Sequence, residues 1–244
     1  MTALLRTSLI AITCSLQTSG CSLIGWTRAK MTQNNQSSYS SNSIEDTRAL
    51  PPRGKGYRTY SSMASAIGRQ YGHSDVIDTL QKGFSELSDK NDHTYIVAEI
   101  GSRKGGRFRP HATHRRGMSV DILTPMKRIS SGKPSKLPSS LWNLYGYCWH
   151  LDNDHSVWGL KWSANTRKNY CPTLSFPLKR EVDFSALRDL VNVMSKTARK
   201  KGGRLRYVIV SEAFKKPLGK TDSHLTSKAW IEHDDHIHLE FAFD

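Results

Sequence analysis

Apolar residues recur at helical spacing between residues 77 and 87 of this chain, which predicts an amphipathic helix. Ser74 precedes the first of them, and a serine at that position can cap the helix. The β-branched and aromatic residues at 95–100 predict a strand directly after the helix. The apolar positions of the helix are Ile77, Leu80, Phe84 and Leu87.

A second helix is predicted to begin after Asp183, which suits the N-cap position. Gly202 and Gly203 predict its end, because paired glycines are typical of the turn that follows a helix. Residues 205–210 predict the next strand. We interpret the apolar stripe of this helix as core, and it consists of Phe184, Leu187, Val191, Met194 and Ala198.

The C-terminal segment 236–243 alternates between apolar and polar side chains, as a strand with one buried face does. Helices and strands that follow no strict βαβ order favour an α+β fold, with an antiparallel sheet and flanking helices. Residues 124–180 are rich in Ser, Pro, Trp and Asn and predict long loops or an insertion. The apolar face of the last strand carries Ile237, Leu239, Phe241 and Phe243, and the polar face carries His236, His238 and Glu240.

The first residues have the pattern of an export signal. Arg6 precedes a short apolar run at 9–12, and small residues then lead into Cys21. This arrangement resembles a bacterial lipoprotein signal, although Thr18 stands where such signals usually have Leu. A cleaved secretory peptide without lipid and an uncleaved anchor are the alternatives.

These features predict a periplasmic protein, attached to the outer membrane if Cys21 is lipidated. No later segment has the pattern of a transmembrane helix. Cys148 and Cys171 are the cysteines left after export, and they predict either a disulfide or two buried thiols. The expected divisions are a signal peptide over 1–21, a flexible linker over 22–49 and one folded domain over 50–244.

The formal charge of +15 favours anionic partners, since 36 Lys and Arg stand against 21 Asp and Glu. Charge alone does not distinguish nucleic acid, anionic lipid and an acidic polymer, and a basic surface that serves only solubility is the alternative. The export signal argues against nucleic acid as the partner.

Two short segments, 111–121 and 233–238, contain five of the ten histidines. Asp121 lies between apolar neighbours, so it can project from one face of a strand, and His236 and His238 share a strand face because they are two positions apart. A catalytic zinc ion takes three His, Asp or Glu ligands and keeps a position for water. The His-Glu-x-x-His helix motif is absent, so a hydrolase here would need a histidine as its base.

At these residues the sequence resembles the penicillin-insensitive murein endopeptidases, which are related to lysostaphin-like enzymes, D-Ala-D-Ala peptidases and hedgehog domains. The resemblance is carried by Lys104-Gly105-Gly106, by His-x-x-His-x-x-Gly-x-x-x-Asp over 111–121, and by Trp-x-x-His-x-x-His-x-His over 230–238. It extends over about residues 50–244 and implies the hedgehog/DD-peptidase-like variant of the α+β fold.

The resemblance also implies the roles of single residues. His236 would be the general base, and His111 and His233 would line the site and stabilise charge in the reaction. The implied zinc ligands are His114, Asp121 and His238.

The substrate implied by the resemblance is the D-alanyl–diamino acid cross-link of peptidoglycan. Trp230 would flank the cleft, with a place in the core as its alternative. Lys104 and Arg115 would bind substrate carboxylates, although a solvated basic loop explains them equally well. A D,D- or L,D-carboxypeptidase acting on stem peptides and a non-catalytic wall-binding lipoprotein with structural zinc are the rival functions. Six basic residues surround the first motif: Arg103, Lys104, Arg107, Arg109, Arg115 and Arg116.

Overall fold

The structure of the protein is a computed structural model that describes residues 44, 46–61, 65–108, 111, 113–135, 150–151, 156–158, 177–227 and 233–243. The predicted signal peptide, the four cysteines, Arg109 and Trp230 lie outside these residues, so what was predicted for them stays a prediction. Within the described part, no helix combines the length and the apolar character needed to cross a membrane.

Fourteen strands, most of them short, lie among the described residues. In chain order they are β1 (Thr47–Ala49), β2 (Arg53–Gly54), β3 (Tyr57–Thr59), β4 (Tyr71–His73), β5 (Tyr95–Glu99), β6 (Ser119–Leu123), β7 (Met126–Arg128), β8 (Pro134–Ser135), β9 (His150–Leu151), β10 (Ser156–Trp158), β11 (Pro177–Val182), β12 (Gly203–Ile209), β13 (Leu225–Thr226) and β14 (His236–Phe243).

Three α-helices lie among the described residues: α1 (Ser74–Ser88), α2 (Phe184–Lys200) and α3 (Glu212–Leu218). Both predicted helices are confirmed. The cap of α2 is confirmed as well, because Asp183 Oδ1 accepts a hydrogen bond from Ala186 N at 3.1 Å. The predicted cap of α1 was wrong by one residue, since the extended backbone of His73 lets its Nδ1 accept from Asp75 N at 3.3 Å.

The main sheet has the described strand order β13-β12-β14-β6-β5-β3-β2. Its four central strands pair antiparallel, and the parallel pairs β12–β13 and β3–β5 lie nearer the edges. Together with the helices, this arrangement confirms the α+β class. The predicted strand at 236–243 is β14, and those at 95–100 and 205–210 correspond to β5 and β12.

One face of the main sheet packs against α1 and α2 to form the core. Alternation along the central strands therefore directs the remaining side chains of β6 and β14 to the opposite face. That face carries Asp121, His236 and His238, so the two histidine-containing segments are brought to the same side of one sheet. The strand residues in the core include Val97, Val120, Ile122, Ile237 and Leu239.

The segment predicted as long loops, 124–180, contains most of a second sheet. Its described order is β8-β7-β11-β10-β9, and each neighbouring pair is antiparallel. Four of these strands have only two or three residues, too few to show alternation, which explains why the sequence pattern did not reveal them. The start of the fold also differs slightly from the expected residue 50, because β1 at Thr47–Ala49 already pairs with β4.

Candidate metal centre

Asp121 and His238 meet across two neighbouring central strands. They are direct partners in the antiparallel pairing of β6 with β14, and both side chains are almost fully buried. His238 Nδ1 donates a hydrogen bond to Asp121 Oδ1 at 2.8 Å. Two residues separated by 117 positions are thus fixed in contact by strand register.

His114 approaches the same carboxylate from a short 3-10 helix, His114–Arg116, that precedes β6. Its Nδ1–H donates to the carbonyl oxygen of Ile100 at 2.6 Å, and this bond fixes the tautomer because a carbonyl can only accept. Nε2 of His114 then carries the lone pair, 3.2 Å from Asp121 Oδ1. This nitrogen is buried and has no hydrogen-bond partner among the described residues, an arrangement typical of a histidine prepared to bind a metal.

Gly117 allows the chain to turn from the 3-10 helix into β6. Its φ of 64° is in the left-handed region, and an added Cβ would lie 2.9 Å from Gly72 Cα and His73 N. A side chain at this position would therefore strain the backbone and push against β4 at the same time. This turn explains why the first motif has a glycine four residues before Asp121.

His111 is the third imidazole near Asp121. Its Nδ1 lies 3.6 Å from Asp121 Oδ2, and its ring centroid is 4.6 Å from that of His114. His111, His114 and Asp121 each offer a ligand atom within 4.8 Å of one another, so they form a metal-capable group. This group differs from the predicted ligand set in containing His111 in place of His238, and all three imidazoles lie near the Asp121 carboxylate.

Glu99 and Arg69 form a buried ion pair behind His111, and sequence reasoning missed both. His111 Nε2 lies 2.8 Å from Glu99 Oε2, and Glu99 Oε1 accepts from Arg69 Nε. A register shift between Val97 and Glu99 explains the miss, because simple alternation puts Glu99 on the core face with Val97. The bulge turns Glu99 towards Asp121, its partner on β6.

The pKa values of these groups reflect strong coupling. Burial raises the pKa of Asp121, but His114 and His111 outweigh it and hold the value well below the usual range. Burial lowers the pKa of His238 to about 4, so this imidazole is neutral near pH 7. Burial also lowers the pKa of His111, but Asp121 and Glu99 reverse the effect and raise it.

His233 and His236 form a second cluster at the start of β14. Their ring centroids are 4.9 Å apart, and both side chains are buried. His236 Nδ1 lies 2.6 Å from Asp235 Oδ1, a carboxylate to which sequence reasoning assigned no role. His236 shares the strand face of His238, so its imidazole lies on the side of the sheet that carries Asp121.

The described basic residues near the first motif are exposed, including the predicted substrate-binding residues Lys104 and Arg115. Gly106 N donates to Arg115 O at 2.9 Å, which joins the two loops that carry these side chains. The exposed basic residues of the two loops are Arg103, Lys104, Arg107, Arg115 and Arg116.

Residues 36–140 match the family model of the penicillin-insensitive murein endopeptidases. The matched segment includes His111, His114, Asp121 and the Arg69–Glu99 pair. Residues 36–140 are therefore similar to this family. The resemblance inferred from the sequence motifs is thereby confirmed over this part of the chain, while β14 lies beyond the match.

Several curated proteins named penicillin-insensitive murein endopeptidase are similar to the same region. The protein from Klebsiella pneumoniae is 31% identical over 98 residues, which cover 39% of this chain and 35% of the relative. The Haemophilus influenzae protein is 33% identical over 94 residues, covering 38% and 32% of the two chains. The Escherichia coli K12 protein is 29% identical over 92 residues, covering 37% and 32%. The match thus spans about a third of the length of these relatives.

The matched segment and β14 together supply imidazole nitrogens and a carboxylate oxygen, which are donor types that bind divalent metals such as zinc. Imidazole nitrogen and carboxylate oxygen are common zinc ligands. Structural zinc sites have four protein ligands, whereas catalytic sites have three and leave one position for water. His114 Nε2 and His238 Nε2 are both buried without a hydrogen-bond partner among the described residues, and such atoms are rare unless a ligand satisfies them. The residues therefore fit a divalent metal of the zinc type.

Proposed function

We propose that this protein is a zinc metallopeptidase that hydrolyses D-alanyl–diamino acid cross-links in peptidoglycan. The observation that carries the proposal is the convergence of three imidazoles on the Asp121 carboxylate from two distant segments. The similar proteins are named penicillin-insensitive murein endopeptidase, which supports the same activity class.

In this proposal His114, Asp121 and His238 hold the zinc ion. Their side chains are anchored by β6, β14 and the bond from His114 to Ile100 O, which supports a rigid three-ligand set. His111 is bonded to Glu99 and is not counted among these ligands, so an ion held by the other three would have a position for water. When bound, the ion supplies Lewis acidity and lowers the pKa of the attacking water.

His236 acts as the general base, because it is on the same strand face as His238 and two positions away. His233 lies beside it with a ring separation of 4.9 Å. His111 lies next to Asp121, with its Nδ1 3.6 Å from Asp121 Oδ2. These two imidazoles can donate hydrogen bonds to the oxygen that gains charge when the peptide carbonyl is attacked.

Lys104 and Arg115 bind the free carboxylates of the stem peptides. Both side chains are exposed on loops that are joined through the Gly106–Arg115 backbone bond. No ion pair within the described residues involves either side chain, which supports a role in holding an anionic ligand. Trp230 is proposed to flank the cleft on the basis of the motif alone.

The proposed location is the periplasm, where the substrate lies. The support is the export pattern that ends at Cys21, together with a net charge of +15 that favours an anionic polymer. Lipid attachment at Cys21 would anchor the enzyme to the outer membrane. Mass spectrometry of the exported protein tests this point by reading the modification of its first residue.

The direct test of activity is digestion of purified peptidoglycan, with the products separated by chromatography. The proposal predicts loss of cross-linked dimers and gain of monomers. It also predicts that a chelator that removes zinc abolishes this activity, and that added zinc restores it. Monomers shortened by one alanine would instead identify a carboxypeptidase. Wall binding with stoichiometric zinc but no bond cleavage would identify a binding lipoprotein.

A further inference from the structure

A buried carboxylate, Asp235, lies directly against the proposed base. Its Oδ1 is 2.6 Å from His236 Nδ1, and the two side chains are 0% and 6% exposed. An ionised carboxylate can only accept hydrogen bonds, so Nδ1 of His236 carries the hydrogen in this pair. The lone pair of the neutral imidazole is then on Nε2.

The backbone around Asp235 is held independently of its side chain. The carbonyl of Asp235 accepts from Thr124 N at 3.0 Å, and the carbonyl of Asp234 accepts from Thr124 Oγ1 at 3.2 Å. The carbonyl of His233 accepts from Ser211 N at 3.0 Å. Three successive carbonyls therefore tie this segment to residues just beyond the ends of β6 and β12.

A carboxylate in this position controls two properties of an imidazole. It holds the ring plane, and it selects the tautomer by accepting from one nitrogen. His236 needs both properties for the role proposed above, because a base on the face of His238 must direct a lone pair, not an N–H, towards the reacting water.

We propose that Asp235 is a positioning residue for the reaction: through its bond to Nδ1 it fixes the orientation and the Nδ1–H tautomer of His236. The catalytic consequence rests on the function proposed above, whereas the tautomer assignment does not. The family match ends at residue 140, so this assignment comes from the geometry of the loop before β14.

The test compares the zinc-loaded parent with Asp235→Asn, which keeps the size of the side chain and removes its charge. We expect kcat for cross-link hydrolysis to fall by roughly 10²- to 10⁴-fold, with KM and zinc content close to those of the parent. The matched control is Asp183→Asn, because Asp183 forms another Asp–His pair, with His93 Nε2 at 3.0 Å, at the start of α2. Asn also caps helices, and kcat of this control should stay within about twofold of the parent.

Long-range ¹H–¹⁵N spectra of the histidine rings give a second readout that does not depend on activity. The signals of His236 are assigned from their loss in His236→Gln. In the parent they should report hydrogen on Nδ1, and in Asp235→Asn they should shift towards the Nε2–H form. A parent that fails to cleave peptidoglycan would reject the proposed function and leave the tautomer assignment testable by these spectra.

Three results would overturn the inference: hydrogen on Nε2 in the parent, an unchanged tautomer in Asp235→Asn, or a variant with parental kcat. Loss of zinc from Asp235→Asn would also count against it, because the carboxylate would then support the metal and not the base.

Discussion

Replacing Glu99 by Gln removes a charge from the buried support of the metal centre and nearly preserves the shape of the side chain. Glu99 is 1% exposed, and it contacts Arg69, which is 3% exposed, and His111. Burial raises the pKa of Glu99, but the charge of Arg69 and the contact with His111 lower it from 4.5 to about 2. At about 1.4 kcal/mol per pH unit, this difference predicts that the variant loses about 3 kcal/mol of unfolding free energy near pH 7.

The dependence on pH follows from the sign of the shift. The folded-state pKa of Glu99 lies below the unfolded value, so its ionised form stabilises the fold above about pH 4.5. This contribution is lost as the pH falls through the folded value near 2. The stability difference between parent and Glu99→Gln should therefore be full near neutral pH and shrink through the acid range.

The measurement is urea unfolding of the metal-free protein, kept in chelator and followed by circular dichroism at several pH values. Asp89→Asn is the control, because Asp89 pairs with Lys55 at the surface, where the two side chains are 67% and 58% exposed. An exposed pair of this kind should change the unfolding free energy by about 0.5 kcal/mol or less. A loss below about 1 kcal/mol in Glu99→Gln, or one that stays constant down to acid pH, would refute this account of the site.

Three further predictions concern the metal, the substrate and the turn before β6. His238→Ala should lose zinc binding and His111→Ala should retain it, as measured by metal analysis after dialysis; the opposite result would make His111 the third ligand. Arg115→Glu should raise KM for peptidoglycan several-fold and leave kcat nearly unchanged, whereas Lys216→Glu on α3 should leave both unchanged; equal effects on KM would indicate bulk attraction only. Gly117→Ala should reduce the unfolding free energy by more than Gly202→Ala, which is expected to cost roughly 1–2 kcal/mol. Both glycines have positive φ, but an added Cβ meets nothing within 4 Å at Gly202. Equal losses of unfolding free energy in the two variants would therefore show that the contact of residue 117 with β4 is unimportant.

The elements that the sequence predicted are those with local causes. The stripe of α2 and its Asp183 cap can be recognised within one helix, and the alternation of β14 within one strand. Their hydrophobic faces also indicated which side chains point away from the core. The pattern therefore predicted that His236 and His238 share a face, and the family motifs added Asp121 and His114 as their partners.

The second sheet could be recognised only from the pairing of its strands in the tertiary structure. Its described strands are two to six residues long. Some pair with a near neighbour in the chain, as β7 does with β8, but β7 also pairs with the distant strand β11. Such short segments carry little periodicity of their own. The loop composition of 124–180 was a correct observation that led to an incomplete prediction.

Sequence by itself determined the chemistry available at the centre, since the types and spacing of the metal-capable side chains are properties of the chain. Only the tertiary structure decided which groups surround them. A bulge in β5 turns Glu99 out of the alternating pattern and towards His111, and the backbone bonds of Thr124 hold Asp235 beside His236. Both effects depend on register between strands that are far apart in sequence, and register is set by packing across the whole sheet and not by any local pattern.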